Sequence, residues 1–451
     1  MKIPNTFSIY WLGLLTLSYP LAAQKTFSLK QAREYAVEHA YSVKDKQLEL
    51  EKARKTITET AAIGLPQIKA EARHQYNSQI PQTPLPAILL PNPPEGVDFV
   101  LVQFGVPHQS SYGIQASQLI FDGSYIIALM ATRVFKEIAR NDVQVSKVDI
   151  IDNVTKSYGA VVMTKELIRI LEENLSVLRK IYNDNRKLYE EGFIEEQDVD
   201  QLDILVNTVS NQLDNTRRQY DIALMLLKLQ MGIPIEESIA LTDGIEIFES
   251  IDDEAFQLLS KPFDLMQDYQ YKGILLQEQA AGLQLKRYKM SYLPSLAAFA
   301  SHQQNSFGQT FKMFDFNQYW VPVTIVGASL SWNIFTGLDR YAKTSKARLD
   351  LLRVQNAKKQ IEDGKMVEYN RARSDFEFAL NNLRVRRKNL GTAARVREKT
   401  LIKYREGLAG SFDLTQAENQ LIEAQSQYVQ AMLQLVNAHS SLNKLLGNYN
   451  N

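Results

Sequence analysis

The sharpest candidates for chemistry in this chain are two aspartates that follow glycine-centred turns at matched places. Asp198 comes after Gly192-Phe193, and Asp413 comes after Gly407-Leu408. A carboxylate just past a turn, at the start of a helix, is a common N-cap. Other reactive groups are thinly spread. The histidines at 39, 74, 108, 302 and 439 form no i,i+4 pair and have no carboxylate at metal-ligand spacing. The absence of cysteine removes disulfide scaffolds, thiolate zinc sites and thiol catalysis together. Gly364-Lys365 lacks the glycine spacing of a phosphate-binding loop, and no Gly-x-Ser-x-Gly elbow occurs. These residues predict a protein that is not an enzyme, with no catalytic residue, no metal and no cofactor.

Composition narrows the classes further. The 451 residues carry 51 Lys and Arg against 51 Asp and Glu, which argues against a nucleic-acid binder built on a broadly basic surface. Past residue 23 no uncharged apolar run reaches the roughly 18 residues a spanning helix needs. A polytopic helical membrane protein is thereby excluded, whereas a β-barrel barely registers in hydropathy. At the start, Lys2, the apolar stretch Phe7 to Leu17 and Leu21-Ala22-Ala23 have the layout of a signal peptide, 1–23, cut after Ala23. Export is the expectation.

The elements that position the aspartates come in two copies. Gly113 to Gly123 stands against Gly327 to Gly337 at an offset of 214. Tyr189, Glu191, Gly192, Asp198 and Gln201 recur as Tyr404, Glu406, Gly407, Asp413 and Gln416 at an offset of 215. Leu65-Pro66 recurs as Leu293-Pro294. A tandem duplication follows, with a first repeat over 24–232, a linker over 233–261, a second repeat over 262–447 and a tail over 448–451.

Each copy has the same element order. Residues 28–63 predict a helix ended by Gly64 and Pro66. Residues 67–76 then alternate: Gln67, Lys69, Glu71, Arg73 and Gln75 point one way, and Ile68, Ala70, Ala72, His74 and Tyr76 the other. That period of two predicts a strand with one wet face. A second alternating run covers 111–117, matched by 325–331. Between the strands, 78–110 carries seven prolines and reads as a long irregular loop, and its aromatic counterpart, 306–323, is shorter. Four strands are far too few to close a barrel within one chain. Long helices are expected over 123–191 and 337–405, about 100 Å each at 1.5 Å per residue. Return helices follow over 197–231 and 413–446. Val199, Leu202, Val206, Val209, Leu213 and Thr216 step 3-4-3-4, as do Leu414, Ala417, Leu421, Ala424 and Tyr428. Such a repeat demands left-handed coiled-coil packing.

This duplicated order of helix, Leu-Pro, two strands, long helix, glycine tip and return helix resembles the TolC-like outer membrane factor family over essentially the whole chain past the leader. The resemblance implies a mainly α fold with a membrane β-barrel, in which a homotrimer closes 12 strands above a helical tunnel. It implies an outer membrane channel-tunnel of a tripartite efflux or type I secretion system in a Gram-negative bacterium. Its partners would be a periplasmic adaptor and an inner-membrane transporter of the resistance-nodulation-division or ATP-binding-cassette type. Residue by residue, Asp413 falls where the family places an acidic entrance ring, and Gln416 stands where a second aspartate is often found. Asp198 and Tyr404 match residues that hold the tip closed in some members, but Ala409 replaces the arginine of that network. Gly192-Phe193 and Gly407-Leu408 would meet the adaptor, and Lys69, Glu71 and Arg73 would line the lumen. The competing expectation is a periplasmic coiled-coil adaptor or scaffold. Adaptors usually carry one helical hairpin, together with Val- and Gly-rich domains that this sequence lacks.

Overall fold

A computed structural model describes residues 25–89, 91–92 and 96–450; the expected leader, 1–23, lies outside the described residues. The chain forms two compact units. The first comprises residues up to Tyr41, Asp149–Lys261 and Ala372–Lys444, and the second Ser42–Val148, Pro262–Arg371 and Leu445–Asn451.

The first unit begins with β1 (Lys25–Phe27), followed by α1 (Leu29–His39). Ser28 and Gln31 form a reciprocal capping box that satisfies two of the free N–H groups at the helix start. The helix expected over 28–63 is in fact two, because Ala40 leaves helical geometry at ψ 137° before α2 (Tyr41–Ala62) begins. The cause is close packing: the His39 carbonyl passes so near Gly232 that an added Cβ there would lie 2.4 Å from its oxygen.

The segment 233–261 is more than a connection. It supplies β6 (Ile239–Leu241), parallel to β1, and α5 (Ile251–Ser260). Asp243 accepts a 2.7 Å hydrogen bond from the Leu29 amide, and the buried Tyr158 hydroxyl lies 3.0 Å from its carboxylate.

Tyr158 belongs to α3 (Gly123–Glu190), a single helix of 68 residues. It returns as α4 (Glu196–Met231), and α7 (Asp339–Arg405) returns as α8 (Ser411–Leu445). The predicted stripe on α4 is the one that packs. Leu171, Leu175 and Leu178 of α3 meet Leu205, Val209 and Leu213 of α4 and Ile422 of α8 in one cluster. Each such side chain contributes roughly 1.5–3 kcal/mol on burial. On α8 the buried sector is wider than one stripe, because this helix touches two others. It reaches α3 through Ser440–Asp152 at 2.7 Å and Asn174–Gln425 at 2.7 Å, and α7 through Arg386–Gln427 at 2.6 Å.

The second unit holds α6 (Tyr269–Met290) and the remaining strands. Among the described residues, one antiparallel sheet runs in the order β2 (Gln67–Tyr76), β5 (His108–Phe121), β7 (Ser295–Gly308), β8 (Val321–Ser331). Two corrections concern the loop expected over 78–110. It contains a hairpin of β3 (Gln82–Pro86) and β4 (Phe99–Gln103), and β5 starts at His108 rather than 111. Pro84 and Pro86 fit there because a two-stranded ribbon has only edge strands, where a missing N–H costs little. The aromatic loop after β7 folds back on the sheet, with Phe311 edge-on to His74 and Trp320 against Tyr112, ring centres 4.6 and 4.7 Å apart. No helix among the described residues is long and apolar enough to cross a membrane.

Candidate functional site

The two hairpin turns are built alike. At the first, the Gly192 and Phe193 amides donate to the carbonyls of Tyr189 and Leu188, both at 2.8 Å; at the second, Gly407 and Leu408 donate to Tyr404 and Lys403 at 3.0 and 2.7 Å. These paired bonds close the last helical turn, and they require a left-handed residue between them. Gly192 has φ +80° and Gly407 φ +70°, conformations that cost an L-residue about 1–2 kcal/mol. The turns push Phe193 and Leu408 into solvent, at 74% and 73% exposure.

Neither aspartate is the N-cap that its position in the sequence predicts. For α4 the N-cap is Glu195, which makes no side-chain cap bond, and Asp198 lies a few residues inside. Its carboxylate instead accepts a hydrogen bond from the Ser411 hydroxyl, joining one hairpin to the other. Asp413 reaches back from the first turn of α8 to accept from the Gly410 amide at 3.2 Å, and otherwise stands exposed beside exposed Gln416.

Tyr404 makes the second link. Its hydroxyl donates to the side-chain oxygen of Asn185 on α3, not to Asp198. Burial, with the charge of Asp198 nearby, pushes the Tyr404 phenol above its ordinary range. Asp198 and Tyr404 nevertheless line one cavity of about 760 Å³, together with Asp184, Lys180, Arg397 and Arg405.

Sequence reasoning missed four contributors here. Asn185 and Ser411 carry the two links, yet the repeat offset matches them with Thr400 and Glu196, so the duplication gives no signal. Arg397 and Glu418 form a 2.6 Å ion pair between α7 and α8, with the Glu418 side chain 3% exposed. Burial raises the Glu418 carboxyl above its usual range, and Arg397 opposes that shift. The only hint in the sequence is that Glu418 adjoins Ala417 of the predicted stripe.

In the sheet, strand register sorts the faces. Lys69, Glu71 and Arg73 pair with Gln115, Gly113 and Ser111, which pair in turn with Ser301, Gln303 and Asn305. Lys69 donates to Glu71 at 2.6 Å along the strand. The opposite face carries Ile68, Ala70, Ala72, Tyr112, Ile114 and Ala116 with Ala300. It turns polar toward one end, where His74 accepts or donates at 2.9 Å to Ser110 and lies 3.4 Å from His108. The polar face is likewise incomplete, since β8 adds Val321, Val323 and Ile325 to it. Among the described residues no group of three or more His, Asp or Glu could hold a metal ion.

No curated protein matches the chain by sequence. Solved structures do match by fold. The outer membrane protein VceC of Vibrio cholerae superposes with a TM-score of 0.69 at 14% identity, covering 93% of this chain and 96% of its own. The CmeC outer membrane channel of Campylobacter jejuni gives 0.70 at 15%, covering 99% and 93%. The MtrE outer membrane channel of Neisseria gonorrhoeae, in its open state, gives 0.71 at 16%, covering 93% and 88%. At such identities these likenesses establish a shared fold, the TolC-like one of long helical hairpins and few strands. The profile of the outer membrane efflux proteins matches residues 32–232 and 275–448. Spanning most of the sequence and both helical hairpins, that match shows that the chain belongs to the outer membrane efflux protein family.

Proposed function

We propose that this protein is the outer-membrane exit duct of a tripartite efflux or type I secretion system, assembled as a homotrimer. The observation that carries this reading is the sheet. Among the described residues it ends in two unpaired edges, β2 and β8, and presents Ile68, Ala70, Ile114 and Ala116 outward on one face. Open strand edges are not tolerated in lipid, so the edges must meet other copies. Three chains of four strands close a barrel of the right order for a pore. Lys69, Glu71 and Arg73 then line its lumen.

The two turns serve as contact points. Exposed Phe193 and Leu408, each held by a left-handed glycine, offer apolar tips to a periplasmic adaptor that links the duct to an inner-membrane transporter. Asp413, beside Gln416, forms an acidic entrance where three copies converge; carboxylates gathered on an axis favour cations. The hydrogen bonds Tyr404–Asn185 and Ser411–Asp198 tie the two hairpins together and resist their separation. No step of this function requires bond making.

Membrane fractionation followed by light scattering in mild detergent tests the proposal. A trimer recovered from outer membranes is expected; a water-soluble monomer or dimer refutes it.

A further inference from the structure

Two histidines that the duct function leaves unused stand together at one end of the sheet. His74 of β2 and His108 of β5 are 34 residues apart in the chain, so no local spacing marks them as a pair. Strand register brings them together. His74 pairs with Ser110, and Tyr76 pairs with His108. The two histidines are therefore diagonal neighbours on one face of two antiparallel strands, within reach of side chains as long as imidazole. Both are half-buried.

The separation of their facing nitrogens discriminates between two uses of such a pair. His74 Nε2 and His108 Nδ1 are 3.4 Å apart. That is long for a hydrogen bond, since an N–H donor stands about 2.7–3.2 Å from its oxygen acceptor. It is the right length for two ligands of one tetrahedral metal ion. Imidazole nitrogens bound to zinc at about 2.0–2.1 Å, at the tetrahedral angle, lie about 3.3–3.4 Å apart. Adjacent positions of a square or octahedral ion, at the same bond length, are only about 2.9 Å apart.

The surroundings hold both rings for this use. The hydroxyl of buried Ser110 lies 2.9 Å from His74 Nδ1. With a metal on Nε2, the ring proton stays on Nδ1 and is donated to that hydroxyl, which fixes both tautomer and ring orientation. Phe311 stands edge-on to His74, and the Tyr76 ring lies tilted against His108, with centres 4.6 and 4.8 Å apart. Rings locked in this way have little freedom left to lose on binding an ion. Next to the pair, the Asn77 amide donates to the Pro107 carbonyl at 2.8 Å and closes the base of the segment between the strands.

We infer that His74 Nε2 and His108 Nδ1 form a two-histidine site for a tetrahedral divalent transition-metal ion, zinc by its geometry, with water in the two remaining positions. The ion ties β2 to β5 at the base of the 77–107 segment. His74 points to the opposite side of β2 from Lys69, Glu71 and Arg73, so the ion is a fixture of the sheet and not cargo on its charged face. Both ligands belong to one chain, and the site is independent of how many copies assemble.

The test uses the full chain in mild detergent, made without a histidine tag, stripped by a chelator and titrated with zinc chloride in a calorimeter. One ion per chain is expected. Binding should vanish in His74→Gln and in His108→Gln and persist in His302→Gln, whose ring lies outside the pair. The absence of saturable zinc binding overturns the site, as does binding that survives either of the first two variants. Ser110→Ala keeps both ligands but frees the His74 ring, and should weaken zinc about tenfold. An unchanged affinity refutes the role given to Ser110. Cobalt(II) added to the stripped natural chain supplies a readout that needs no variant. The intense visible absorption of a tetrahedral ion is expected, and the weak spectrum of an octahedral one refutes the assigned geometry.

Discussion

His439 on α8 gives the structure's most quantitative prediction. Its Nε2 lies 2.9 Å from the Asn443 side-chain amide, which donates, so the ring must accept and is neutral. It packs near Phe376, ring centres 5.8 Å apart. Burial first, and the charge of Arg33 second, hold its pKa at about 4 instead of 6.5. The unfolded chain therefore takes up a proton near pH 6.5 that the folded chain refuses until about pH 4. Stability from this group is complete above pH 6.5 and is lost as pH falls toward 4. The full window amounts to about 3 kcal/mol, and the part between pH 7 and pH 5 to about 2 kcal/mol. Glu418, whose carboxyl burial raises above its usual range against the opposing pull of Arg397, acts in the opposite sense, so the comparison must be differential. The perturbation is His439→Gln, which keeps an acceptor for Asn443 but cannot titrate. Unfolding in detergent, followed by helical circular dichroism at pH 7 and pH 5, is the assay. The natural protein should lose about 2 kcal/mol per chain more than the variant on acidification. Equal losses would refute the reasoning, since they would mean that the ring is protonated without penalty in the fold.

Three further outcomes follow from the tip geometry. Tyr404→Phe with Ser411→Ala removes both bonds between hairpins, about 1 kcal/mol each, and should raise single-channel conductance in planar bilayers while the trimer persists. Arg397→Met leaves Glu418 buried without its partner and should destabilise the chain by about 3 kcal/mol, whereas Arg397→Met with Glu418→Leu should recover most of that loss in the same unfolding assay. The Cβ added by Gly407→Ala meets no atom within 4 Å, so its cost is the backbone conformation alone. That cost, about 1–2 kcal/mol, should fray the second tip and impair efflux in cells while the amount of trimer stays unchanged.

The fold was largely legible because its signals are local and periodic. Alternation over 67–76 marks β2 to the residue, since successive strand side chains must face opposite ways. The 3-4 stripes of α4 and α8 mark buried sides for the same kind of reason. Legibility failed where a distant segment intervenes. Ala40 breaks the first helix because Gly232, far along the chain, lies against its backbone, and no local propensity encodes that approach. The hairpin hidden in 78–110 was masked by prolines that only an edge ribbon tolerates.

The site divides the same way. Glycine alone fits the left-handed turns at 192 and 407, so the sequence by itself determined the tips, their exposed Phe193 and Leu408, and the four strands of the main sheet, too few to close a barrel within one chain. Tertiary structure decided what the polar groups do. Asp198 turns from cap to cross-hairpin acceptor because Ser411 arrives beside it, and Tyr404 chooses Asn185 over Asp198. Arg397 and Glu418 become one buried ion pair. Spacing along a helix fixes which side a residue faces, but a hydrogen bond or ion pair between helices depends on the register in which they dock, and that register is set by the whole packed interface at once.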